Sequence, residues 1–94
     1  MDNYYDYDEK VVNEFKNIKV GDIVVGEEDI GHTMAEFTLI VDSVEWDYGT
    51  PSDNIEELAI FGHGITQDEE DFIESCGLPR RIDIGNFCYI KKVS

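Results

Sequence analysis

From Val20 to Pro79, a run of sixty residues, the chain contains no lysine and no arginine, while sixteen aspartates and glutamates fall inside it. All seven bases lie outside: Lys10, Lys16 and Lys19 before, Arg80, Arg81, Lys91 and Lys92 after. Over the 94 residues, 22 acids outweigh those 7 bases for a net charge of -15. A folded chain of this length has a radius of gyration of roughly 12 Å and a diameter of about 30 Å. Duplex DNA of that length carries on the order of 18 phosphates. The protein therefore holds nearly the charge of a DNA segment its own size. Repulsion opposes direct binding to nucleic acid or to an anionic membrane, and a basic partner is favoured.

Other absences narrow the function further. No apolar run is long enough to span a bilayer, and no signal-peptide core is recognisable at the N-terminus, so a cytoplasmic protein is expected. Cys76 and Cys88 stand alone in apolar surroundings, as free thiols do in a reducing compartment. Ser43, Ser52 and Ser75 lack a G-x-S-x-G context, and neither cysteine has a base beside it. The glycines form no phosphate cradle. His63, Cys76 and Cys88 are single residues without the paired spacing of a zinc site. The acids of residues 68–71 and Glu74 lack the D-x-[DN]-x-[DN]-G loop that wraps calcium. Nothing singles out a carboxylate pair for hydrolysis. At this length a deep substrate cleft is hard to build. No catalytic residue, metal or cofactor is expected, and the chain reads as a non-enzymatic binding protein.

Apolar residues make up 41% of the chain, with five Phe, five Tyr and one Trp, which supports a compact core in one domain. Residues 1–7 read as an exposed arm in which Tyr4, Tyr5 and Tyr7 alternate with Asp2, Asp6 and Asp8. Asp8 then caps a short helix over about residues 9–18, with Val11, Phe15 and Ile18 at helical spacing. A strand is expected over 21–26, bounded by glycines, and a loop over 27–33. The longest strand signal is 34–46, where Phe37, Leu39 and Val41 alternate. Its phase shifts at Asp42–Ser43, predicting a bulge. Residues 47–54 are dense in turn formers, 56–64 give another strand, and 81–93 read as two strands around a tight Gly85–Asn86 turn.

This pattern predicts an α+β fold: a small, strongly bent antiparallel sheet or barrel of about five strands, with an N-terminal helix and a short inserted helix. The opening "KVGDIVVG", the long bent strands and the closing "FCYIKKV" resemble the layout of SH3-like small barrels over residues 19–93. That resemblance implies an interaction module more often than an enzyme.

The inserted helix is "TQDEEDFIES". Thr66 and Glu69 match a capping box, and Asp68, Glu69 and Glu70 suit the positive end of the helix dipole. Phe72, Ile73 and Cys76 read as its buried stripe, and Gly77, Leu78 and Pro79 as its stop. Asp71 and Glu74 are not asked for by helix physics: with Glu70 they form like-charge neighbours at i,i+4 and i,i+3, each costing about 0.2–0.5 kcal/mol.

Asp68, Glu69, Glu70, Asp71 and Glu74 are accordingly the first candidate contact patch. Glu27, Glu28 and Asp29, and the cluster of Asp53, Glu56 and Glu57, are the next. In "EWDYG", Trp46 and Tyr48 share one side of an extended strand with Glu45 and Asp47 on the other, a setting for cation–π contact with Arg or Lys. In size and charge the chain resembles phage-encoded nucleic-acid mimics that disarm restriction or CRISPR nucleases. The expected partner is thus a basic nucleic-acid-binding protein or nuclease whose groove the carboxylates occupy in place of phosphates. The alternatives are an SH3-like adaptor taking a basic or Pro-rich peptide between Trp46 and Tyr48, and a structural or accessory phage protein.

Overall fold

A computed structural model of the protein describes residues 7–91. Along them run α1 (Glu9–Lys16), β1 (Ile23–Asp29), β2 (Met34–Trp46), a 3-10 turn (Ile55–Glu57), β3 (Leu58–Gly64), α2 (Gln67–Cys76), β4 (Arg81–Ile82) and β5 (Phe87–Ile90). The strands form one antiparallel sheet in the order β4-β3-β2-β1-β5, curled into a half-barrel, as the strand pattern predicts. The radius of gyration is 13.4 Å. No helix among the described residues is long and apolar enough to cross a membrane.

The central strand shows how the sequence bends the sheet. Ala35, Phe37, Leu39 and Val41 point into the core, as period-2 alternation requires. Pairing with β3 then slips between Val41 and Ser43, leaving Asp42 as an extra residue. Beyond the bulge the even positions turn inward, so Val44 and Trp46 pack against the core. Curling is deep enough to bring β1 against β4, three positions away in the order. A Cβ on Gly26 would lie 3.0 Å from Cγ1 of Ile82 and 3.1 Å from Cζ of Phe37, so only glycine fits without displacing them.

Both helices add to the same core. Asp8 caps α1 by accepting from the Lys10 N–H at 2.8 Å, and Phe15 sets its ring 5.1 Å from that of Phe87. From α2 come Ile73 and, just past its end, Leu78. The helix closes on Gly77 at φ +67°, with the Leu78 N–H donating to the Ile73 carbonyl at 2.9 Å.

Several expectations are corrected. Strand β1 does not stop at Gly26 but continues through Glu27, Glu28 and Asp29. These residues have poor strand propensity, yet Met34–Glu36 supplies a partner in register, and pairing overrides propensity. The two strands expected over 81–93 form, as β4 and β5 about a turn, but they do not pair with each other: β4 pairs with β3, β5 pairs with β1, and the 83–86 connection links the two outer strands. Four residues suffice because the curl has already brought those strands together. Phe72 is not in the buried stripe of α2 but 38% exposed. His63 lies on β3 opposite Ile40, with Nδ1 2.9 Å from the Asp42 carboxylate. Cys76 and Cys88 are free thiols, half-buried. Of the expected N-terminal arm, residues 1–6 lie outside the described residues. Tyr7 is half-buried, and its hydroxyl donates to Glu56 at 3.0 Å.

Candidate functional site

The acids of α2 divide into two sets. Thr66 caps the helix, accepting from the Glu69 N–H at 3.1 Å, which is one half of the expected capping box. The other half is absent because the Glu69 carboxylate turns to the sheet and accepts from the Thr38 N–H at 2.9 Å. Strand β3 ends at Gly64, opposite Leu39, so Glu69 satisfies a backbone donor of β2 just past the last β3 partner. Glu70 does the same for β3: it accepts from the Gly64 N–H and from Nη2 of Arg80 at 3.0 Å. The Arg80 hydrogen bonds, followed by the Gly64 N–H, hold the Glu70 carboxyl below its ordinary value and raise the Arg80 guanidinium above its own. Two of the five candidate acids on this helix therefore fasten it to the sheet.

The remaining three face outward. Asp71 accepts from Nε2 of Gln67 at 3.0 Å, and Glu74 lies 3.8 Å from Arg80. Arg80 thus offsets the Glu70–Glu74 repulsion from beyond the helix end, a compensation invisible to i,i+4 counting. Asp68, Asp71, Phe72 and Ser75 form the exposed stripe at helical spacing. Phe72 is partly exposed, with a carboxylate at i−4 and another at i−1.

On the sheet, direct pairing in β1–β2 places Glu27 opposite Glu36. Their neighbours Gly26, Phe37 and Ala35 are buried, so alternation puts both carboxylates on the outer, convex face. Directly opposed like charges destabilise a sheet. Their field reaches Cys88, which sits at the β5 bulge beside them: burial first, then the charges of Glu27 and Glu36, push its thiol up to about 11. One register position away on this face Tyr89 stands opposite Val25, itself opposite Thr38; Tyr89 is 46% exposed.

A third group surrounds the 83–86 connection. Two shallow depressions, of about 210 and 380 Å3, share Asp83 and Gly85; Glu56 and Tyr7 line one, Glu28 and Arg81 the other. Glu28 accepts from Nδ2 of Asn86 at 3.4 Å, and Asp83 pairs with Arg81 at 2.8 Å. Glu36 and Asp83 thus join the acidic surface although sequence reasoning had not singled them out. The signal for Glu36 was available in the alternation of residues 34–46, once a partner strand was extended through Glu27.

The other candidates are dispersed. Asp29 accepts from the Gly31 N–H at 2.8 Å in the β1–β2 turn, and Glu45 from Ser43 at 3.1 Å. Glu57 accepts from Asn54 at 3.4 Å, and Asp47 and Asp53 lie exposed in the 47–54 loop. Trp46 and Tyr48 do not share a strand side as expected. β2 ends at Trp46, which packs on the core, and a turn closed by the Gly49 N–H on the Trp46 carbonyl leaves Tyr48 81% exposed.

Of the bases, both arginines are taken by acids, Arg80 by Glu70 and Arg81 by Asp83. Lys10, Lys16, Lys19 and Lys91 make no ion pair among the described residues, and they sit on or beside the neighbouring elements α1 and β5. No cluster of three His, Cys, Asp or Glu side chains able to hold a metal ion occurs among the described residues. Comparison with protein-family models, with curated proteins and with solved structures finds no match in any of the three.

Proposed function

We propose that the protein is a non-enzymatic inhibitor that presents its carboxylates as substitutes for phosphates in the basic groove of a nucleic-acid-binding partner, with anti-restriction or anti-CRISPR action on a host nuclease as the biological setting. The observation behind this reading is the opposed pair Glu27 and Glu36 on the convex face. A single lysine at either position would convert repulsion into attraction. The chain instead keeps both acids, while its two arginines are engaged elsewhere, by Glu70 and Asp83. Retaining such a pair makes physical sense when a basic surface neutralises it on binding.

Capture from a bacterial lysate at low salt, eluted by a salt gradient and separately by DNA, tests the proposal. A basic nucleic-acid-binding protein is expected in both eluates, with retention falling steeply as salt screens the charges. If no such protein is retained, the mimicry reading is wrong. The charge-reversing variants belong at Glu27, Glu36, Asp68 and Asp71 rather than at Glu69 and Glu70, whose loss would release α2 from the sheet.

A further inference from the structure

The direction of each backbone group along β2 follows from the bonds its neighbours make. The Glu27 N–H points away from β2, donating to the Asn86 carbonyl at 2.8 Å, so Glu27 and Glu36 oppose each other as a non-hydrogen-bonded pair. With period 2, the groups of β2 that point away from β1 are those of Met34, Glu36 and Thr38. Strand β3 pairs along this side only as far as Gly64, opposite Leu39. Just past it, the Thr38 carbonyl accepts from the Ile65 N–H at 3.3 Å and the Thr38 N–H donates to Glu69 at 2.9 Å. The chain then turns off into α2. Among the described residues, nothing on this edge pairs with the N–H or C=O of Glu36 or of Met34. Both residues are exposed, Met34 by 53%. A Cβ on Gly64 would point with Leu39 toward the core and lie 2.6 Å from the Glu70 backbone nitrogen, so α2 packs on the concave side and leaves the convex side of this edge open.

An unpaired strand edge is a template for another strand. An antiparallel strand continuing the line of β3 would exchange hydrogen bonds with both residues. Its residue opposite Glu36 would send its side chain to the convex face, next to Glu36 and with Glu27 just across β2. A cation at that position meets both carboxylates and relieves their repulsion. Two positions along, the side chain lies beside Met34 and covers its apolar surface. A second copy is a poor occupant, because it would bring two chains of net charge -15 edge to edge with Glu36 of each in the same short slot. We propose that the β2 edge at Met34–Glu36 docks an extended segment of a partner protein carrying Lys or Arg opposite Glu36 and an apolar side chain opposite Met34. Backbone pairing sets the register, and the cation and apolar side chain set the choice of partner. The site goes beyond the inhibitor reading and does not depend on it: it takes a strand, not a groove.

The test titrates the full chain with an end-blocked peptide of sequence Thr-Lys-Thr-Val-Thr-Lys-Thr-Val, which presents lysine and valine alternately on one face. Two controls accompany it. One is N-methylated at its lysines and valines, keeping the charge but removing the donors that would face β2; the other has glutamate in place of lysine. Binding is followed by NMR, and amide hydrogen exchange is measured with and without peptide. The proposal expects the Met34 and Glu36 amides to gain protection, and both control peptides to bind roughly tenfold more weakly. Met34→Pro removes one outward donor while leaving the β1–β2 ladder intact, and should weaken binding roughly fivefold. Absence of binding, equal binding of the N-methylated peptide, or unchanged exchange at both amides overturns the proposal, as does undiminished binding by a folded Met34→Pro variant. The exchange measurement uses the unaltered chain, so it decides the matter even where that variant does not fold. None of these outcomes bears on the inhibitor reading, which stands or falls on the capture experiment.

Discussion

Glu70 places one carboxylate between a backbone N–H of β3 and a guanidinium, and its ionisation is tied to the fold. The carboxyl is held below its ordinary value by Arg80 and then by the Gly64 N–H. The folded chain therefore binds that proton less readily than the unfolded chain. The resulting stability is present above the ordinary carboxylate value and is lost as pH falls through the lowered one. Melting temperatures of wild type and Glu70→Gln across acidic pH should show the wild type losing more on acidification; parallel curves would refute the link. Gly64 admits no side chain, because a Cβ there would lie 2.6 Å from the Glu70 backbone nitrogen. Gly64→Ala is expected to cost about 3 kcal/mol in denaturant unfolding, the upper part of the overpacking range. Cys88 reports on the convex face. With its thiol near 11, its thiolate fraction at mild alkaline pH is roughly a hundredfold below that of an ordinary thiol, so alkylation should be slow. Glu27→Gln combined with Glu36→Gln should speed alkylation at Cys88, as peptide mapping would show.

At the scale of elements, the β1–β2 hairpin and α2 differ in how their acids are used. The hairpin keeps Glu27 and Glu36 opposed without a cation between them, whereas α2 turns Glu69 and Glu70 into tethers. Glu36→Lys should therefore stabilise the protein by about 0.5–1 kcal/mol while weakening capture of the partner. A variant that is more stable and binds equally well would show that the pair has no role in binding. Much of this level was legible beforehand. The caps of both helices, the Gly77 stop, and the bulge at Asp42 follow from local patterns that the structure repeats. The reach of β1 through Glu27–Asp29 was not legible, since strand propensity speaks against acids and only the facing residues of β2 supply their hydrogen bonds. Nor was the role of Glu69: three-residue spacing suggests a capping box, but the Thr38 N–H lies 31 positions away in sequence and became its neighbour through folding.

For the whole molecule, excess negative charge acts on folding and on binding with opposite salt dependence. Self-repulsion lowers the stability of a compact chain at -15, and added salt screens it. The melting temperature should rise between about 0.01 M and about 0.3 M sodium chloride, a range over which the Debye length shrinks from about 30 Å to less than 8 Å. Partner retention should fall over the same range. A melting temperature that drops would mean that local pairs such as Arg80–Glu70 outweigh the general repulsion.

Composition and order along the chain are enough to determine the sign and size of the charge, the helix ends, the alternation of β2 and its bulge, because each depends on residues close in sequence. Tertiary structure decided which acids are free. Arg80 lies just past the base-free stretch, yet folding sets it against Glu70; β4 and β5 pair with different strands, and the β1–β2 register places Glu27 opposite Glu36. The physical reason is that a carboxylate's role depends on its nearest donor: for Asp83 that is Arg81, two residues away, but for Glu69 and Glu70 it is a group that only folding brings within reach.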